Sequence, residues 1–302
     1  MLYGLMIAFV PLFLGYLFRV GNPQILAWNN RIVTYCLYLI LLAMGIAIGQ
    51  LDDLAEKLPQ IGGIALGLSV ILHLCNIAFL LVYDKFFPMK RQIAAEDKPV
   101  SRWKMLFDSL ILCATVFAGG LFGFLLKGTL NFPLHSSTYV LVVMIFCVGV
   151  QLRNSGIPIR EVFLNKRGII VSLIFMTSGL FGGIICSFLL DLPLVRALAL
   201  ASGFGWYSLS SVLLNDAWGP VYGSIAFFND LSREIFCLFS IPFFMRRFPS
   251  TAVSLGGATS LDCTLPIIQK SGSIQIVPLA ISFGFIVNLA VPVLLALFIG
   301  LA

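Results

Sequence analysis

Charge is what this 302-residue chain has least of: thirteen acidic and nineteen basic residues make up 11% of it, against 60% apolar residues and a mean hydropathy of +1.03. Soluble domains carry about 25% charged residues. A separate aqueous domain is therefore excluded, and residues 1–302 read as one integral membrane domain. There is no Walker A sequence, no GxGxxG after a strand, no HExxH and no CxxC. Nucleotide hydrolysis, dinucleotide redox chemistry and zinc sites lack their residues, so no cofactor and no metal is expected. Histidine is scarce too; His73 and His135 have no partner in spacing and read as packing or loop residues. The seven cysteines (Cys36, Cys75, Cys113, Cys147, Cys186, Cys237, Cys263) lie in apolar stretches, where thiols act as small hydrophobes, and no disulfide is expected. A net charge of +6 does not imply nucleic acid, because the basic residues gather in short loops, where they set membrane topology. The run Leu2 to Phe18 has neither a basic leader nor a small-residue cleavage site and reads as a retained span.

What is present is hydrocarbon in span-length runs, at about 2–18, 32–49, 61–83, 107–126, 137–152, 169–190, 223–245 and 276–300. The expected fold is an all-α membrane protein of about eight transmembrane helices. Two stretches do not fit that pattern: Leu198 to Asp216, centred on GFGWYSLSS, and Thr251 to Gln269, containing GGATSLDCTLP. Non-helical backbone at membrane depth survives only where protein or a watered cavity satisfies its polar groups, so both read as re-entrant or broken helices. With the N-terminus outside and both stretches re-entering, fifteen basic residues fall in cytoplasmic loops and three outside, Arg233 lying within a span. Residues 1–190 then form a six-helix region, and 191–302 two units, each a broken stretch followed by a span.

Internal repetition is consistent with this division. An offset of 104 aligns Tyr35 with Tyr139, Gly45 with Gly149, Ile46 with Val150 and Ile48 with Leu152. An offset of 54 aligns Gly203 with Gly257, Ser208 with Asp262, Ser210 with Thr264 and Leu214 with Ile268. Both shifts comprise an odd number of crossings, so the copies point oppositely. Inverted repeats framing broken helices are a common plan for secondary transporters with a midplane site.

Ten of the thirteen acids, Asp84 among them, fall in loops or near helix ends and read as solvated. Asp230, Glu234 and Asp262 fall inside apolar or broken segments, where a central aspartate costs about 2.5–3.5 kcal/mol to insert. Asp230 and Glu234 share one helix face, with Asn229 and Arg233 on an adjacent stripe. For Arg233 and Asp230, internal pairing that lets the helix insert stands level with a functional role. Glu234 and Asp262 read as functional. A carboxyl taken out of water favours its neutral form, so such a pair can take up and release protons, and a cationic substrate competes with those protons. Cation and proton taking turns at the same carboxylates amounts to antiport. Gly256, Gly257, Thr259 and Ser260 offer backbone N–H groups at a half-helix end as a seat for a substrate carboxylate. Trp206, Tyr207 and Ser208 are candidates for the cation, an interfacial belt being the alternative for the two aromatics. Pairs such as Gly45/Gly49, Gly63/Gly67, Gly119/Gly123 and Gly179/Gly183 read as close helix packing. Tyr83-Asp84 lacks the GxGD companion of an intramembrane aspartyl protease, which leaves a membrane enzyme the weakest reading.

At GFGWYSLS (203–210), GPVYGSIAFFNDLSRE (219–234) and GATSLDCTLP (257–266) the chain resembles the bacterial LysO-type lysine exporter family. The resemblance extends to LLAMGIAIGQLDDL (41–54), VGVQLRNSG (148–156) and LNKRGIIVSLI (164–174). It implies export of L-lysine and its analogue thialysine across the bacterial inner membrane, eight spans with both ends outside, and an intramembrane acidic pair matching Glu234 and Asp262. A sodium or proton antiporter with no organic substrate is the alternative; the aromatic and hydroxyl groups around GFGWYSLS favour an organic one.

Overall fold

The computed structural model describes residues 10–50, 54–89, 102–127, 136–154, 165–272 and 276–302. Residues 2–9 of the first apolar run, His135, and the acids Asp52, Asp53, Glu96, Asp97 and Glu161 lie outside them. Among the described residues the regular structure is helical, with no strand. Helix α1 covers residues 10–16. It is followed by α2 (Pro23–Gly49), α3 (Leu54–Phe86), α4 (Arg102–Leu125), α5 (Ser136–Asn154) and α6 (Lys166–Leu189). Next come α7 (Leu194–Ala201), α8 (Tyr207–Trp218), α9 (Pro220–Met245), α10 (Pro249–Leu255), a 3₁₀ turn (Gly257–Leu261), α11 (Leu265–Gly272) and α12 (Val277–Leu301).

Seven of the eight apolar runs coincide with α2 to α6, α9 and α12, as expected where lipid cannot satisfy backbone groups and each segment must bond within itself. Pro23, Pro220, Pro249 and Pro278 sit at helix starts, where the missing N–H has no intrahelical partner to lose. Among the described residues, four helical segments suffice by length and composition to cross a membrane: Pro23–Ala43, Lys57–Phe86, Lys166–Leu189 and Val277–Leu301. α9 is as long, but Asn229, Asp230, Arg233 and Glu234 interrupt its apolar character. Large apolar side chains such as Phe117, Phe188 and Phe243 point outward from the bundle, as on a lipid-facing surface. The chain is a multi-pass membrane protein.

The helices pack in two groups. In the first, α2 lies against α4 and α5, and small residues let the backbones close in. A Cβ at Gly45 would meet Val116 O, the Cα of Gly119 at 3.0 Å and the N of Gly120 at 3.0 Å. A Cβ at Gly149 would meet Leu12 O, the Cα of Gly15 at 3.1 Å and the N of Tyr16 at 3.0 Å. The second set is the first with every residue number shifted by 104, so α5 meets α1 as α2 meets α4. Likewise Gly119 abuts Leu42 O and Gly15 abuts Phe146 O, again 104 apart.

The second group is built on α3, α6 and α9 with α7, α10 and α12 packed among them. Its core includes Leu68, Leu72, Phe175, Phe204, Ile241 and Phe283, all essentially buried. A smaller cluster of Leu41 and Ile48 (α2), Leu112 and Val116 (α4), Tyr207 (α8), and Phe227 and Leu231 (α9) forms the seam between the groups.

Asp84 corrects an expectation. Instead of a solvated helix end it is 3% exposed. It accepts from Arg167 Nη2 (2.9 Å), Thr251 N (2.8 Å) and Thr251 Oγ1 (3.0 Å), while Arg167 Nε donates to Ser250 Oγ (2.8 Å). The Arg167 guanidinium also lies over the Tyr83 ring. Three elements meet here: the end of α3, the start of α6 and the first turn of α10.

Candidate functional site

Both unusual stretches are helices interrupted by irregular backbone, α7 to α8 and α10 through the 3₁₀ turn to α11, and they cross. At the crossing Ala258 N donates to Phe204 O at 2.8 Å. Positions 204 and 258 are 54 apart, the same offset that aligns Gly203 with Gly257. Phe204, Gly205 and Gly257 take positive φ values of 49°, 95° and 57°. At Gly257 only hydrogen fits, since a Cβ would overlap Phe204 O. The left-handed backbone and the close approach thus explain glycine at one position together.

Helix α9 runs past this crossing and supplies its charges. Asp230, 1% exposed, accepts from Gly205 N (3.0 Å), Ser210 Oγ (2.5 Å) and Asn229 Nδ2 (3.2 Å). Gly203 gives it room, because a Cβ there would touch its carboxylate. The carboxylate sits where α8 begins and satisfies a donor that an interrupted helix would otherwise leave unpaired, with a favourable dipole interaction. The internal pairing weighed for Arg233 makes no direct contact, although Asp230 and Arg233 lie within electrostatic reach of each other. Among the described residues the ion pair is Asp84–Arg167, and Arg233, 2% exposed, has Nε and Nη1 without a hydrogen-bond partner. Its stem lies on the two glycines, with Cδ 3.0 Å from a Cβ built at Gly205 and 3.2 Å from one at Gly257. Its guanidinium stands 5.3 Å above the Phe175 ring. Asp230 within electrostatic reach and the ring below offset part of the burial, but guanidinium donors left unfilled out of water still carry a cost, so their presence here calls for a use.

Glu234, half-buried, projects from the next position of α9. Asp262 closes the 3₁₀ turn, is exposed, and accepts from its neighbour Cys263 N. Both carboxylates act electrostatically on the Tyr207 phenol and on Cys263, and Tyr38 of α2 acts on Tyr207 as well. The two acids singled out in the sequence, one on the long helix and one on the broken stretch, therefore share a locale. It lies by the seam where Tyr207 meets Phe227 edge-on at 5.8 Å between ring centroids. Sequence spacing gave no sign of Tyr38. Cys263 is exposed rather than packed, unlike the other six thiols, which are buried or half-buried.

The remaining expected residues hold the backbone. Thr259 Oγ1 donates to Gly256 O (2.8 Å) and Ser260 Oγ to Val253 O (2.7 Å), while the N–H groups of Ala258 and Thr259 are taken by Phe204 O and Gly256 O. A Cβ at Gly256 would collide with Ser260 Oγ and Thr264 Oγ1. Ser208 is buried in the first turn of α8, and Trp206 packs partly buried against the core. His73 is buried in α3, with Nδ1 2.6 Å from Ser69 O. No group of three metal-ligating side chains occurs among the described residues.

The family model described as lysine exporter LysO matches residues 113–299, which takes in α9 and both broken stretches. The chain belongs to the lysine exporter LysO family. A full-length relative, the lysine exporter LysO of Escherichia coli K12, is 45% identical over 296 residues, 98% of each chain. A Haemophilus influenzae relative is 57% identical over 187 residues, 62% of this chain and 96% of its own length. No solved structure matches. The LysO match makes the chain a transporter and places the crossing, Asp230, Arg233, Glu234 and Asp262 within the span that defines the family.

Proposed function

We propose that this protein exports L-lysine and its analogue thialysine from the bacterial cytoplasm across the inner membrane, in exchange for protons that compete with the substrate's ammonium for Glu234 and Asp262. One observation carries the reading. The two carboxylates come from different elements and both lie within electrostatic reach of Tyr207 and Cys263, beside a crossing of broken helices and at the seam between two helix groups. Broken helices at a repeat interface suit a site exposed alternately to either side. The shared contacts at offset 104 and the crossing at offset 54 support inverted repeats, and the gathering of basic residues in the loops assigned to the cytoplasm supports both termini outside.

Energetics favour exchange over a pore. Moving one positive charge outward against an inside-negative membrane costs about 2.3 kcal/mol per 100 mV. An uncoupled lysine path would run inward, whereas one lysine cation out for one proton in is electroneutral and is driven by the pH gradient. Glu234→Gln and Asp262→Asn should each abolish thialysine resistance in cells while protein abundance in the membrane stays normal. Resistance retained in both variants would overturn the site. Acidifying the outside of lysine-loaded, cell-oriented vesicles should speed efflux, and indifference to that step would remove the proton. Sodium-driven proton movement without lysine movement would favour the bare-cation antiporter.

A further inference from the structure

We propose that Arg233, with Asn76 beside it, receives the α-carboxylate of the transported amino acid, so that the carrier reads both ends of its substrate around helix α9; this deepens the lysine-export reading above and rests on it. Arg233 is enclosed, makes no ion pair among the described residues, and keeps Nε and Nη1 unpartnered. Across from α9, Asn76 is fully buried; its Oδ1 accepts from Ser178 Oγ at 2.6 Å, and its Nδ2 has no partner. His73 completes the group. A carbonyl can only accept, so the 2.6 Å contact with Ser69 O assigns the proton to Nδ1 and leaves Nε2 without a partner.

These groups come from three helices that pack on one another, α3 lying against both α6 and α9. His73 and Asn76 are a turn apart on α3, and Phe175 and Ser178 a turn apart on α6. The Arg233 guanidinium sits above Phe175 and within electrostatic reach of His73. The surplus is of donors: two guanidinium nitrogens and an amide nitrogen against one imidazole lone pair. A water molecule accepts about two hydrogen bonds, whereas a carboxylate offers about four lone-pair sites and a negative charge, and it matches the guanidinium fork. The hydroxyls of Thr259 and Ser260 and the N–H groups of Ala258 and Thr259 are spent on the backbone of the break, whereas Arg233 keeps two nitrogens unfilled.

Helix geometry sets the span. Consecutive residues differ by about 100° on a side-chain cylinder 10–12 Å across, so the tips of Arg233 and Glu234 stand roughly 9 Å apart. The carboxylate and ε-nitrogen of extended lysine are roughly 7 Å apart, and each end adds a charge-assisted hydrogen bond of about 2.8 Å. Laid end to end these would overreach, at roughly 12–13 Å, so one lysine bridges the two groups in a bent conformation. The Arg233 stem rests on Gly205 and Gly257, so a shift of either break uncovers the guanidinium.

The test is counterflow of labelled lysine in proteoliposomes, inhibited by unlabelled lysine or by cadaverine, which has both amines and no carboxylate. Cadaverine should inhibit at least tenfold more weakly than lysine. Equal inhibition would overturn this assignment and leave the export reading standing, whereas no lysine counterflow at all would overturn both. Asn76→Asp keeps the acceptor for Ser178 and gives Arg233 a carboxylate within the protein, so the fold is retained. It should weaken lysine at least tenfold and leave cadaverine unchanged. Arg233→Lys keeps the charge without the fork and should narrow the gap between lysine and cadaverine. An unchanged gap in either variant, at normal abundance, would overturn the assignment.

Discussion

The helices α1, α2, α4 and α5 and the crossing of α7–α8 with α10–α11 use the same residue type for opposite ends. In the first region Gly15, Gly45, Gly119 and Gly149 remain in helical conformation and only thin the helices, so that backbones touch without a polar bond between them. In the second region Gly205 and Gly257 leave helical conformation altogether, and the exposed backbone is bonded across the crossing and capped by a buried acid. The first arrangement yields a close-packed frame with few charges. The second gathers buried charge, Asp230 and Arg233, against broken backbone inside the bundle. Glycine content alone does not separate the two; the neighbouring Ser, Thr and acidic residues do.

The contrast can be broken at single positions. Gly257→Ala should have the largest effect: the added Cβ meets a backbone carbonyl that cannot swing aside, and a left-handed alanine adds about 1–2 kcal/mol. Lysine counterflow should fall more than tenfold, with normal transport counting against the crossing as described. Asp230→Ala comes next, leaving Gly205 N–H and the Ser210 hydroxyl without their acceptor at about 2–5 kcal/mol. Thermal unfolding in detergent would register that loss. In the frame, Gly45→Ala and Gly149→Ala should each cost about 1–3 kcal/mol through overpacking and should match one another, because their contacts correspond residue for residue. Unequal losses would break the symmetry. Gly63→Ala should have the smallest effect, stabilising α3 by up to about 1 kcal/mol, since nothing lies within 4 Å of the new methyl group.

Much of this was legible in the chain because lipid makes polarity conspicuous. Residues 198–216 and 251–269 stand out by their Gly, Ser and Thr, and both proved to be interrupted helices. Glu234 and Asp262 stand out by the cost of placing them there. Side-chain partners chosen through space were not legible. Asp84 looked solvated because its cation, Arg167, is 83 residues away. The spacing of Asp230 and Arg233 suits an intrahelical pair, yet the bare backbone at Gly203 draws the carboxylate to the start of α8, and Arg233 turns towards Phe175. The N–H group of Thr259 looked available until the carbonyl of Gly256 claimed it.

The bond from Ala258 to Phe204 joins positions that the offset of 54 makes equivalent. The two breaks thus hold each other at the residue where each departs from its helix. The bond therefore works as a latch, because neither stretch can slide along the other without stripping Phe204 O and Ala258 N of their partner at the same moment.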